Sequence, residues 1–197
     1  MIVVGVTGSL ASGKTEAANF FRKLGARVFD ADLFSHEATR KRKPLYRAIV
    51  KLFGRDFLKK DGTLDRKKLA TRVFSDPKSL RDLNTLIHPE VVAEAFELIR
   101  RLRSKAGVLV LDVPLLFEAK MDSAVDCVLV VAATRKNMIR RASKKGITAA
   151  LARKVLARQW PLSKKIRHAD MVIENNGSLN ELERKVRCVY DRLKEKS

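Results

Sequence analysis

Ile2-Val3-Val4-Gly5-Val6-Thr7-Gly8-Ser9-Leu10-Ala11-Ser12-Gly13-Lys14-Thr15 opens the chain and decides its fold. Residues 2–6 are a short apolar run suited to a buried strand. The remainder keeps a strict spacing of glycine, four residues, glycine, lysine and threonine. Gly8 and Gly13 let the backbone curl so that successive N–H groups point inward at phosphate oxygens, and the dipole of the following helix adds to that field. The whole stretch Gly8, Ser9, Leu10, Ala11, Ser12, Gly13, Lys14 and Thr15 is therefore expected to cradle a nucleotide. Lys14 is expected to reach the β- and γ-phosphates, and the Thr15 hydroxyl to hold Mg2+. Ala17, Ala18, Phe20, Phe21 and Leu24 follow at helical spacing, which a glycine-containing turn matching by chance would not require.

Four further apolar stretches, 27–29, 108–111, 127–131 and 171–173, read as parallel strands, which predicts an α/β protein with a parallel central sheet. The interval between the second and third strands is too long for one crossover and reads as an inserted helical region. Within it, Asp76-Pro77 marks a helix start, and a second helix is expected over 89–102 with His88-Pro89 as its boundary. Thr134 is expected to cap a helix that Gly146 interrupts, Thr148 to cap another through Arg158, and Pro161 to open a short third one. Ser178 with Glu181 forms the capping-box pattern before a last amphipathic helix.

The 197 residues suit one domain, and an apolar content of 46% is ample for a core. Lysine and arginine number 42 against 22 acids, a net +20 that favours polyanions as partners without choosing among them. The charge is uneven: residues 134–168 hold 12 basic residues and no acid, the composition of a mobile cover over a phosphate site. No apolar run is long enough for a membrane span, so no membrane partner is expected. The opening strand is expected to belong to the core rather than to a removable signal. Cys127 and Cys188 suggest neither a disulfide framework nor a metal knuckle, which favours a cytoplasmic location. His36, His88 and His168 lack metal-ligand spacing.

Ligands of open parallel sheets sit beyond the carboxyl ends of the strands. Asp30 and Asp32 follow the second strand, and alternation would aim both the same way if the strand continued. A carboxylate there can take a proton from an attacking hydroxyl or order Mg2+, whereas Asp32 can also cap a helix. Asp112 ends the third strand, where a second Mg2+-ordering carboxylate belongs. Glu118 is expected to cap or pair locally, and Trp160 to anchor a hinge or core. Arg140, Arg141 and Lys144 have cover-like spacing for phosphate or adenine; Arg135 and Arg158 compete for the same work.

Several motifs together resemble the dephospho-coenzyme A kinase family over nearly the whole chain. They are residues 6–15, Phe29-Asp-Ala-Asp32, Phe53-Gly54, Ile87-His-Pro-Glu90, Leu111-Asp-Val-Pro-Leu-Leu-Phe-Glu118, Gln159 and Ala169-Asp-Met-Val-Ile-Glu-Asn-Asn-Gly177. The resemblance implies a three-layer phosphate-loop kinase fold and transfer of the γ-phosphoryl of ATP, with Mg2+, to the ribose 3′-hydroxyl of dephospho-coenzyme A. It implies catalytic work for Asp32 as base, with Lys14 and Arg140, and an acceptor site using Asp32, His88 and Asp112. It further implies an inserted acceptor-binding region over 33–105, a basic ATP lid over 134–168, and Asn175 and Asn176 beside the adenine. Asn137 and Lys144 stand where relatives commonly carry glutamine and a second arginine, and Lys145 where they carry an acid. A kinase of nucleic-acid ends is the rival that the charge supports; no specific nucleic acid is expected, and the oligomeric state is left open.

Overall fold

The computed structural model describes residues 1–195. In chain order the elements are β1 (Ile2–Gly8), α1 (Lys14–Lys23), β2 (Arg27–Asp30), α2 (Ala31–Ala38), α3 (Pro44–Phe53), α4 (Arg66–Ser75) and α5 (Pro77–Leu102). They continue through β3 (Val108–Asp112), β4 (Cys127–Ala132), α6 (Arg135–Lys144), α7 (Ala149–Arg158), α8 (Leu162–Arg167), β5 (Met171–Glu174) and α9 (Leu179–Lys194). The strands form one parallel sheet in the order β2-β3-β1-β4-β5. The chain divides into two compact units, Met1–Asp30 with Ala95–Ser197, and Ala31–Glu94.

In the first unit β1 is central, and its residues are apolar on both faces because both are covered. Val4 and Val6 join Phe21 of α1 with Leu182, Val186 and Tyr190 of α9 in one core. Phe21 and Tyr190 meet edge to face at 6.3 Å between centroids. The opposite face is just as closed: a Cβ on Gly5 would lie 2.8 Å from Leu116 Cδ2. The second unit has its own core of Ile49, Leu64, Leu69 and Val73, flanked by Tyr46, Phe53, Phe57 and Leu83. Tyr46 donates its hydroxyl to Gly62 O at 2.6 Å, so a partly buried ring keeps its polar tip satisfied.

The helix starts follow the capping chemistry of the sequence. Thr134 accepts from Asn137 N, Thr148 from Leu151 N, and Ser178 and Glu181 complete the reciprocal capping box. Gly146 separates α6 from α7 in a left-handed conformation, φ 77°.

Two expectations give way. Pro89 is not a boundary: α5 runs through it, so His88 lies in mid-helix rather than at a helix start. Proline inside a helix removes a hydrogen bond and costs about 3 kcal/mol. Here Leu83, Leu86 and Ile87 pack on the core of their unit and Val91 and Ala95 are buried, so apolar anchoring on either side of the proline keeps the helix continuous. Likewise β2 stops at Asp30 and α2 begins at Ala31, so strand alternation does not relate Asp30 to Asp32. Asp32 is exposed in the first turn of α2, a favourable place for a carboxylate near helix N–H groups.

Asp126 fixes the start of the sheet by accepting from Val3 N at 2.7 Å and from both terminal nitrogens of Arg103 at 2.7 Å. The Arg103 hydrogen bond, aided by Val3 N, holds the Asp126 carboxyl below its ordinary value of 3.8 despite partial burial. A carboxyl depressed on folding contributes stability above its unfolded pKa and loses it as pH falls through the folded value. Asp126→Ala should therefore unfold at lower urea than the parent chain at neutral pH, by about 1–3 kcal/mol. Urea titrations repeated at strongly acidic pH should show that difference shrinking.

Candidate active site

The loop between β1 and α1 is shaped by two left-handed residues, Ala11 at φ 56° and Gly13 at φ 101°. Ser12 N donates to Ser9 O at 3.1 Å, which tightens the turn, and Ala17 N donates to Gly13 O at 3.0 Å, which starts the helix. Gly13 is required twice over: its φ disfavours any side chain, and a Cβ there would collide with the Asn175 amide. Gly8 has a different reason, since a Cβ would meet Ser12 Oγ and Val131 O, both at 2.5 Å. Ser12 Oγ is the buried side-chain polar atom left without a hydrogen-bond partner among the described residues.

Lys14 is the first residue of α1, and its buried ammonium is paired with Asp112, which is 1% exposed. Parallel pairing sets this meeting. Val6 of β1 and Asp30 of β2 are both in register with Asp112, which brings the carboxyl ends of three strands level. Val113 N donates to Val6 O at 3.0 Å, and Thr7 Oγ1 to Pro114 O at 3.0 Å, so the chain leaving β3 is tied to the strand that enters the loop. Thr15 is exposed in the first turn of α1.

The basic segment is anchored to the same edge by Lys165, which is fully buried. Its Nζ donates to Pro114 O at 2.9 Å and lies 3.1 Å from Glu118 Oε1, which also accepts from Trp160 N at 2.8 Å. Burial pushes the Lys165 pKa down; Glu118 opposes that shift and the nearby Lys14 adds to it. Glu118 thus pairs with partners more than 40 residues away, not locally as expected. Trp160 stacks on Phe117 at 5.5 Å with 3° between planes, and Lys164 lies 3.5 Å above the indole. Gln159 accepts from Leu10 N at 3.0 Å, tying α7 to the loop.

Arg140 is exposed on α6, whereas the half-buried Arg141 donates to Ser12 O at 3.2 Å and to Asn175 Oδ1 at 3.4 Å. Asn175 is buried and donates to the same Ser12 carbonyl at 2.8 Å. Asn176, exposed, accepts from Thr134 N at 2.8 Å. Asp32 and His88 belong to the Ala31–Glu94 unit. Lys165 and the contact of Gln159 with the loop lack a distinguishing mark in the sequence, because one lysine in a basic run looks like its neighbours.

The residues present fit a nucleotide phosphate chain: a left-handed glycine turn, an orphaned buried hydroxyl, a lysine and a helix start converge. No cluster of three or more potential metal ligands occurs among the described residues. A few oxygen ligands plus substrate phosphates are how Mg2+ is normally held in nucleotide sites.

Comparison with known proteins gives the reaction. Residues 2–181 match the family model for dephospho-CoA kinase. The chain belongs to the dephospho-CoA kinase family. The dephospho-CoA kinase of Bacillus cereus is 39% identical over 183 residues, covering 91% of each chain, and that of Aquifex aeolicus is 36% identical over 190 residues, covering 96% of each. The solved structure of TT1252 from Thermus thermophilus is 34% identical with a TM-score of 0.78, covering 98% of this chain and 97% of that one. A shikimate kinase from Bacteroides thetaiotaomicron, 15% identical with a TM-score of 0.55, shares the fold over 98% of both chains. The family's activity is phosphorylation of dephospho-CoA by ATP with Mg2+. Among the described residues no helix is long and apolar enough to cross a membrane.

Removing Glu118 strands a buried ammonium, whereas removing both charges does not. Glu118→Leu should destabilise this kinase by about 3 kcal/mol in chemical denaturation, and Glu118→Leu with Lys165→Met should lose markedly less.

Proposed function

We propose that this kinase transfers the γ-phosphoryl group of ATP to the ribose 3′-hydroxyl of dephospho-CoA, with Asp32 as general base. The observation that carries the reading is the buried Lys14–Asp112 pair beside the phosphate loop, in a chain of this family. The loop over residues 8–15 binds the phosphates through its backbone N–H groups, other than those of Leu10 and Ser12, which Gln159 Oε1 and Ser9 O already accept, and Lys14 offsets the charge that develops on the transferred group. Thr15 and Asp112 are the residues that would hold Mg2+, which would supply neutralisation of the phosphate charge.

Asp32 accepts the proton of the 3′-hydroxyl as the new O–P bond forms. The bond from the γ-phosphorus to the β–γ bridging oxygen breaks, and ADP leaves with that oxygen. Support for Asp32 comes from its exposed carboxylate, two residues beyond the end of β2. In this scheme residues 33–105 bind the acceptor with help from His88, residues 134–168 cover ATP with Arg140 on its phosphates, and Asn175 and Asn176 lie near the adenine end. The acid-free composition of 134–168 supports an anion beneath it.

Asp32→Asn should leave ATP affinity in calorimetry nearly unchanged while cutting phosphoryl transfer at least about 100-fold; near-normal turnover would remove Asp32 from the base role. Phosphorus NMR of the product should place the new monoester on the ribose 3′-oxygen, and any other position would overturn the acceptor chemistry. Replacing Arg140 should damage turnover more than replacing Arg135, and the reverse order would refute this lid register.

A further inference from the structure

Two side chains from distant parts of the sequence meet on a single backbone carbonyl of the phosphate loop. Asn175, just beyond the end of β5, donates its amide to Ser12 O at 2.8 Å. Arg141, from α6, donates to the same oxygen at 3.2 Å and braces the Asn175 Oδ1 at 3.4 Å. A surface asparagine in a loop would bond water. This one is 5% exposed, and its own backbone N donates to Ala132 O, at the end of β4, at 2.7 Å. The amide is thus held through both its nitrogen and its oxygen, and turning it away from the loop would break a buried bond.

A planar trans peptide carries its C=O and its N–H on opposite sides. No peptide in the described chain is cis, so drawing Ser12 O outward to Asn175 and Arg141 turns the following N–H, that of Gly13, the other way. That N–H begins the row of amides at the mouth of α1, and the left-handed φ of 101° at Gly13 continues the concave backbone. The close fit has no slack: a Cβ on Gly13 would strike the Asn175 amide and sit 3.9 Å from Arg141 Nη1.

We infer that Asn175 and Arg141 are positioning residues for the phosphate loop, locking the Ser12–Gly13 peptide so that the Gly13 N–H faces the bound phosphates. The inference rests on the reading of residues 8–15 as the phosphate site and refines it. It also assigns α6 a task separate from any direct contact with ATP. The segment that covers the nucleotide holds one peptide of the cradle in its binding orientation through Arg141, while Asn175 holds it from the β5 side.

The test uses inorganic tripolyphosphate, which has phosphates and no adenine, beside ATP. Binding of each is measured by calorimetry on the whole protein, with circular-dichroism melting to confirm the fold. Asn175→Ala should weaken both ligands by the same factor, about tenfold, equivalent to 1.4 kcal/mol. A loss confined to ATP, with tripolyphosphate unaffected, would overturn the inference, because the side chain would then act on the base and not through the loop. If Asn175→Ala fails to fold, Asn175→Leu keeps nearly the size while removing the donor and adding no charge, and the same comparison decides. Adding Arg141→Met to Asn175→Ala should cost less than Arg141→Met alone, since both act on one carbonyl; strict additivity would overturn their joint role. Lys14→Ala serves as the control for the site itself: unchanged tripolyphosphate binding in that variant would refute the phosphate loop, a different result from failure at Asn175.

Discussion

The pairing of β1 between β3 and β4 is the constraint on which the rest of this molecule depends. A strand covered on both faces and hydrogen-bonded on both edges cannot slip by one residue without breaking both ladders and swapping the face of every side chain, which would drive a valine into the place where Gly5 leaves no room for a Cβ against Leu116. Val3, Val4 and Val6 are fully buried, so the register with Val108–Asp112 is fixed, and with it the height of Asp112 beside Lys14. The same rigidity reaches the loop directly, because the loop begins where the strand ends. A phosphate cradle made of backbone amides has no side chains with which to correct a misplaced start.

Around that fixed edge the polar atoms are shared economically. Pro114 O accepts from Thr7 and Lys165, Glu118 from Trp160 and Lys165, and Ser12 O from Asn175 and Arg141. Each shared acceptor joins a strand end to the 134–168 segment or to the stretch just after it. Buried networks of this kind demand that every member be satisfied, since a donor left alone in low dielectric is costly. The basic segment therefore combines two kinds of cation. Lys165 is sequestered and structural, whereas Arg140, Lys144 and Lys145 are exposed.

The strands, the loop, the three helices of the basic segment and their caps were all legible, because each rests on a local rule such as glycine spacing, an apolar run, or a threonine ahead of a helix. Pro89 shows where local rules lose. The signal for a helix break is correct as an isolated preference, yet partly buried apolar residues before it and buried ones after it outweigh the missing hydrogen bond. Asp30 and Asp32 show the opposite limit, since one residue of difference in where β2 ends decides whether two carboxylates share a face. Glu118, Asn175 and Gln159 were visible as parts of motifs, but their partners lie tens of residues to well over a hundred away. Spacing within a motif carries no information on such distant contacts.

Trp160 has a practical consequence. It is the sole tryptophan of the chain, and its indole stacks on the Phe117 ring, carries the Lys164 ammonium over its face and meets the His168 ring edge to face. Emission excited at the red edge of the aromatic band therefore comes from one known place, the junction of α7 and α8, while nine phenylalanines and two tyrosines stay silent there. A cation and an imidazole against the ring make its intensity and wavelength sensitive to small displacements. The protein thus carries an optical reporter, built in without labelling, at the junction of two helices of its basic segment.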